Sequence, residues 1–215
     1  MFRRYFIGLA MVITTGLALA QPTLDVEYLE LGSAQPTESP GKIEVIEFFS
    51  YLCPHCYGFE TPLKNWIRKL PKDVQFHRVP AMFSDDYAQA ARAYYALEAI
   101  GELERVHSAL FDAVHSVARL RITNEAALTE WLGKQGVDTK KFTAAYRSFS
   151  VEGKLKRAAQ MTQSYRIDGV PSIAVNGKYV VISDNMKSLE QILSVSDYLV
   201  ERARKNGVNA TPKKK

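Results

Sequence analysis

The two cysteines of this chain stand three residues apart, in Cys53-Pro54-His55-Cys56, and nothing else in the sequence narrows its possible folds so far. An apolar run, Ile43 to Phe49, precedes them and a helical pattern follows. On the first turn of a helix, positions i and i+3 share a face. The two sulfurs can therefore close a small disulfide ring, and open it again, without unwinding anything else. The helix start also favours an anion, because its unpaired N–H groups and positive dipole end stabilise a thiolate at Cys53. Cys53 reads as the attacking thiol and Cys56, one turn further in, as the resolving thiol. Pro54 suits the first helical position, where its missing N–H loses no bond. His55, when protonated, adds positive charge beside Cys53 and lowers its pKa further.

Other uses of such a pair fit less well. A zinc site needs a second pair of Cys or His at zinc-like spacing, which the sequence lacks. Covalent haem attachment needs His straight after the second Cys, where Tyr57 stands. A purely structural disulfide would close a longer loop, since short loops restrict the unfolded chain least. The first residues point to export. Arg3 and Arg4, an apolar stretch from Ile7 to Leu19 and Ala18-Leu19-Ala20 before Gln21 read as a secretory signal over residues 1–20, removed after use. Outside the cytoplasm a thiol pair is oxidised or exchanging rather than held reduced.

Losing Arg3 and Arg4 takes the formal net charge from +5 to +3. Much of the remainder lies in Lys205 and Lys213-Lys214-Lys215, so residues 207–215 read as a disordered basic tail. No basic face with interleaved aromatics is visible, which argues against nucleic acid as a partner. A hydrophobic content of 47% is ample for the core of one domain.

In chain order, Val26 to Leu31 is a short strand candidate, followed by a loop rich in Gly, Ser and Pro. Ile43 to Phe49 reads as a central strand. Alternation puts Glu47 on one face with Ile43, Val45 and Phe49, and Glu44 on the other with Ile46 and Phe48. An acid on an apolar face needs a partner or a task. Glu47 reads either as a proton acceptor for Cys56 or as an ordinary strand-edge glutamate. A helix from Pro54 towards Lys69 and a strand from Val74 to Val79 complete a β-α-β unit, with the Cys pair at the carboxyl end of its first strand. From Ser84 to about Tyr165 the pattern is helical, with apolar stripes such as Leu103, Val106, Leu110 and Val114, or Phe142, Tyr146 and Phe149. His77, His107 and His115 read as satisfied or exposed histidines rather than ligands. Ser172 to Val175 and Tyr179 to Ile182 form a hairpin through a two-residue Asn176-Gly177 turn, and Leu189 to Val200 makes a closing helix.

That order, with Gly169-Val170-Pro171 before the hairpin, resembles the thioredoxin fold: an α/β architecture with an inserted helical subdomain. Residues 21–83 and 166–206 would form the thioredoxin-like domain and 84–165 the insertion. The run Glu47-Phe48-Phe49-Ser50-Tyr51-Leu52-Cys53-Pro54-His55-Cys56-Tyr57-Gly58-Phe59-Glu60 is closer still to one family. It resembles the DsbA family, periplasmic thiol:disulfide oxidoreductases of Gram-negative bacteria, as does Val175-Asn176-Gly177-Lys178-Tyr179. The resemblance implies Cys53 as nucleophile, Cys56 as resolving thiol, Glu47 as a buried acid and Pro171 as a cis-proline facing the disulfide. Proline offers no N–H there, which leaves the Val170 backbone free to pair with an extended substrate. The resemblance also implies a dithiol oxidase that acts as a monomer and needs no cofactor beyond the Cys53–Cys56 disulfide. Its expected partners are reduced or unfolded exported proteins and a DsbB-like, quinone-linked membrane protein that reoxidises it. Some family members carry a lysine on the second core strand near the buried acid. Here Val74 to Val79 offers only His77 and Arg78.

Overall fold

The computed structural model describes residues 21–117, 119–183 and 186–207, so the signal segment and all of the basic tail but Gly207 lie outside the described residues. The chain runs β1 (Tyr28–Glu30), β2 (Ile43–Phe49), α1 (Pro54–Ile67), β3 (Val74–Pro80), then α2 (Asp85–Ala99), α3 (Leu103–His115), α4 (Glu125–Lys134), α5 (Thr139–Tyr146) and α6 (Phe149–Ser164), and closes with β4 (Ser172–Val175), β5 (Tyr179–Val181) and α7 (Leu189–Asn206). The strands form one sheet in the order β1-β5-β4-β2-β3. β2 and β3 are parallel, joined through α1, and the other neighbours are antiparallel.

β2 is buried along its whole length because helices cover both faces of the sheet. On one side Ile43 and Val45 pack with Phe59 and Leu63 of α1 and Leu199 of α7. On the other, Ile46 and Phe48 pack with residues of α2 to α6, so those five helices share one continuous core with the sheet. The pleat's alternation holds to Phe48 and gives way at Phe49. Strict alternation predicts Phe49 beside Ile43 and Val45. It lies instead among Tyr51, Tyr94 and Phe111 on the helical side, because it ends the strand just before the chain turns at Ser50.

Local chemistry fixes the helix boundaries. Ser84, Asn124, Asp138, Ser148 and Ser188 each cap a helix start with a side-chain oxygen, and Gly101 and Gly136 follow α2 and α4 at φ +74° and +78°. Two expectations need correction. Phe149 does not continue the α5 stripe: it is the first residue of α6 and 97% exposed. The hairpin loop has three residues rather than two, since Val175 pairs with Tyr179. Asn176 and Gly177 both take positive φ, as the expected turn requires, but Lys178 adds one residue before the strand resumes. The Gln35 N–H donates to Gly177 O from the side, and a Cβ on Gly177 would lie 2.2 Å from Gln35 O.

Candidate active site

Cys53 caps α1. Its backbone is extended and its Sγ accepts the N–H of Cys56 at 3.3 Å, while Pro54 fills the first helical turn, where no N–H is needed. Both cysteines are free thiols in this structure. Cys53 retains 8% exposure and Cys56 none. This asymmetry follows from depth along one helix face: Cys53, at the cap, lies at its outer end, and Cys56, one turn further in, lies beneath it.

The Val170–Pro171 bond is cis, and it brings Val170 O to 3.2 Å from Cys53 Sγ, to which the thiol donates. With no N–H on Pro171, the wall facing the sulfur offers only an acceptor. His55, Val170, Pro171, Met186, Leu189 and Ile192 line a groove of about 480 Å³ beside the sulfur. His55 itself is exposed.

The two thiols titrate far apart. A hydrogen bond from Cys56 lowers Cys53 to about 6, against the opposing effect of burial, and the backbone N–H groups of Cys56 and His55 and the charge of His55 add to it. Burial pushes Cys56 well above the ordinary thiol range, with Cys53 and Glu47 adding to the rise.

Glu47 lies in β2, 1% exposed. Burial raises its carboxyl to about 8, although Arg78 opposes this. Its cationic partner is Arg78, directly across the parallel β2–β3 register, with Nε donating to Glu47 Oε2 at 2.8 Å. Of the two cations the strand offers, His77 points the other way, its Nε2 3.0 Å from Ser39 Oγ and 3.8 Å from Glu44.

Arg78 is shared. Its Nη2 donates to Glu60 Oε1 at 3.1 Å, and the same oxygen takes His107 Nε2 at 3.3 Å. His107 Nδ1 lies 2.6 Å from Tyr51 Oη, and His115 Nε2 donates to Tyr51 O at 2.8 Å. Sequence reasoning reaches neither Glu60 nor the His107–Tyr51 link. The one available signal is that Glu60 falls among the inward positions of α1, next to Phe59 and four residues from Cys56. Among the described residues, no group of three or more His, Cys, Asp or Glu side chains is placed to hold a metal.

A thiol whose ionisation is favoured at a helix start, with a second thiol buried beneath it, serves exchange between thiols and disulfides. On a sheet of this topology it defines the class of thioredoxin-fold thiol:disulfide oxidoreductases. The DSBA-like thioredoxin domain model matches residues 61–194. The thiol:disulfide interchange protein DsbA of Pseudomonas aeruginosa is 39% identical over 198 residues, covering 91% of this chain and 93% of that protein. The DsbA of Azotobacter vinelandii is 42% identical, with 83% of each chain covered. The crystal structure of Pseudomonas aeruginosa DsbA superposes with a TM-score of 0.82 at 38% identity, covering 86% of this chain and 96% of that one. The chain belongs to the DsbA family, and it is a disulfide oxidoreductase.

Proposed function

We propose that this protein works in the periplasm, after removal of residues 1–20, as a monomeric oxidase that donates the Cys53–Cys56 disulfide to exported proteins still carrying free thiols. The observation that carries this reading is the pairing of an accessible Cys53, lowered to about 6, with a sealed Cys56. A substrate thiolate attacks Cys53 Sγ, the Cys53–Cys56 bond breaks and Cys56 leaves as a thiolate that takes a proton. The substrate's second thiol loses its proton and attacks the mixed disulfide. The substrate disulfide forms, and Cys53 departs as a stabilised thiolate. A leaving group with a low pKa departs faster and stabilises the reduced enzyme, which makes the disulfide more oxidising. DsbA itself is the established example of this effect, and the lowered Cys53 shifts this chain in the same direction.

His55 supplies charge beside Cys53, Pro54 sets the first turn, and Glu47 is the buried acid that exchanges a proton with Cys56. The Val170 carbonyl, which accepts the Cys53 thiol in the reduced protein and loses that donor when the disulfide forms, then offers an extended substrate a backbone hydrogen bond, and the groove lined by Met186, Leu189 and Ile192 receives its neighbouring side chains. Electrons then leave to a DsbB-like, quinone-linked membrane partner. The test is to oxidise a reduced, unfolded disulfide protein with stoichiometric enzyme and to equilibrate the pair against glutathione. Rapid oxidation and a disulfide easily reduced by glutathione are expected, with Cys53→Ser inactive. A pair as resistant to glutathione as a structural cross-link would sink the reading.

A further inference from the structure

Beneath the two thiols, two buried carboxylates share one cation. Arg78 holds Glu47 at 2.8 Å and Glu60 at 3.1 Å, and a guanidinium does not give up its proton. Arg78 is the one cation buried with the two acids, since Lys64, 3.8 Å from Glu60 Oε2, is 43% exposed, and the negative charge left unmatched in the desolvated space is relieved by a single bound proton. That proton has two seats. Glu47, on β2, is close enough to the thiols for its charge to be felt at Cys56. Glu60, on α1, faces the other way, towards α3.

The groups around each seat differ. Glu47 faces Arg78 of β3, Glu60, the Cys53 and Cys56 sulfurs, and beyond them Tyr94 of α2. Glu60 faces the same Arg78 and, in addition, His107 of α3 and Lys64 of its own helix, whose Nζ lies 3.8 Å from Oε2. Burial holds the pKa of His107 down, so its ring is neutral. The ionised Glu60 oxygen can only accept, which assigns the ring hydrogen to Nε2 and leaves Nδ1 to accept from Tyr51 Oη at 2.6 Å. Burial alone would raise Glu60, yet His107, Arg78 and Lys64 together hold it below its ordinary value.

We infer that His107 is a positioning residue that decides which of the two acids sharing Arg78 holds the proton, and keeps it on Glu47, beside Cys56. This inference rests on the oxidase reading above. When a substrate thiolate opens the disulfide, Cys56 leaves as a thiolate. The Glu47 carboxyl passes it the proton and becomes a carboxylate against Arg78. The proton lost by the substrate's second thiol restores Glu47 in the following half-reaction, so charge and protons balance. Without the His107 N–H, the proton settles on Glu60, and Glu47 is left ionised with none to pass to the sulfur.

The experiment is a carboxyl-carbon NMR titration of the oxidised protein with isotope-labelled glutamate, with Glu47 and Glu60 assigned from their single Gln variants. In the native protein Glu47 should titrate above its ordinary value, held up by burial, and Glu60 below its own. His107→Leu should lower Glu47 and raise Glu60 by about one pH unit or more, about a tenfold change in proton occupancy. His107→Gln, whose amide N–H reaches towards Glu60, should restore the native order. Unchanged titrations in His107→Leu overturn the inference. So does a shift that His107→Gln fails to reverse and that is matched by a moved Cys53 midpoint in the thiolate absorbance of the reduced variant, because His107 would then only brace the active-site loop. Should His107→Leu not fold, His107→Phe, which keeps a ring and removes the N–H, takes its place: Glu47 must fall and Glu60 rise by about one unit or more, and unmoved titrations refute the scheme. The titration needs no substrate. A protein that fails to oxidise thiols yet shows this partition would refute the oxidase reading alone.

Discussion

At the scale of single residues, the site depends on how differently its two sulfurs are treated. Cys53 sits where N–H groups converge, and its pKa falls from 9.0 to about 6. Cys56, one turn on, loses all contact with water and moves the opposite way. A depressed pKa stabilises the folded reduced protein above the unfolded thiol's pKa, and that stabilisation is lost as pH falls through the folded value. The oxidised protein has no such thiol to titrate. The stability advantage of reduced over oxidised protein should therefore be smallest below about pH 6 and grow as pH rises towards 9. Urea midpoints of the two forms across that range check this, and a gap that does not vary with pH would contradict it. His55→Leu should narrow the gap by removing one of the lowering charges, with a matching rise of the Cys53 midpoint seen in thiolate absorbance.

At the scale of elements, the register of β2 against β3 does most to build the site, because it sets Arg78 opposite Glu47. The β4–β5 hairpin is held just as tightly. Gly177 at φ +67° lies under the Gln35 carbonyl, so Gly177→Ala should cost about 2 kcal/mol in chemical denaturation, through strain and the displaced β1–β2 loop. Little change would mean that the Gln35 segment yields freely. What the sequence made legible was what lies close along the chain. The Cys pair, its helix, the apolar strand and the helical stripes all show in local spacing. What it hid depends on contacts across the fold: Glu60 meets His107 from 47 positions away, and Arg78 reaches Glu47 from 31. Periodicity marks which face of an element is apolar, but it does not say which polar side chains meet underneath. The extra residue in the hairpin escaped for a related reason, since Asn-Gly fixes the turn conformation but not the strand pairing beyond it.

At the scale of the whole molecule, the helices α2 to α6 are fused to the sheet. Phe48 is wholly buried between the two, its ring centroid 5.3 Å from that of Tyr165 at the end of α6. Helices and sheet should accordingly unfold in one transition, with far- and near-ultraviolet dichroism coinciding in denaturant. Phe48→Ala should cost about 3–5 kcal/mol. Separate transitions would show that the helical layer stands alone. The burial of the lower sulfur has a further consequence whenever the protein meets stray small disulfides. Only the outer sulfur can take up a small thiol, and it is the one whose neighbour can displace it. A small thiol bound there as a mixed disulfide thus sits within striking range of Cys56, whose attack expels it as a thiolate and closes the Cys53–Cys56 bond without help from a second protein.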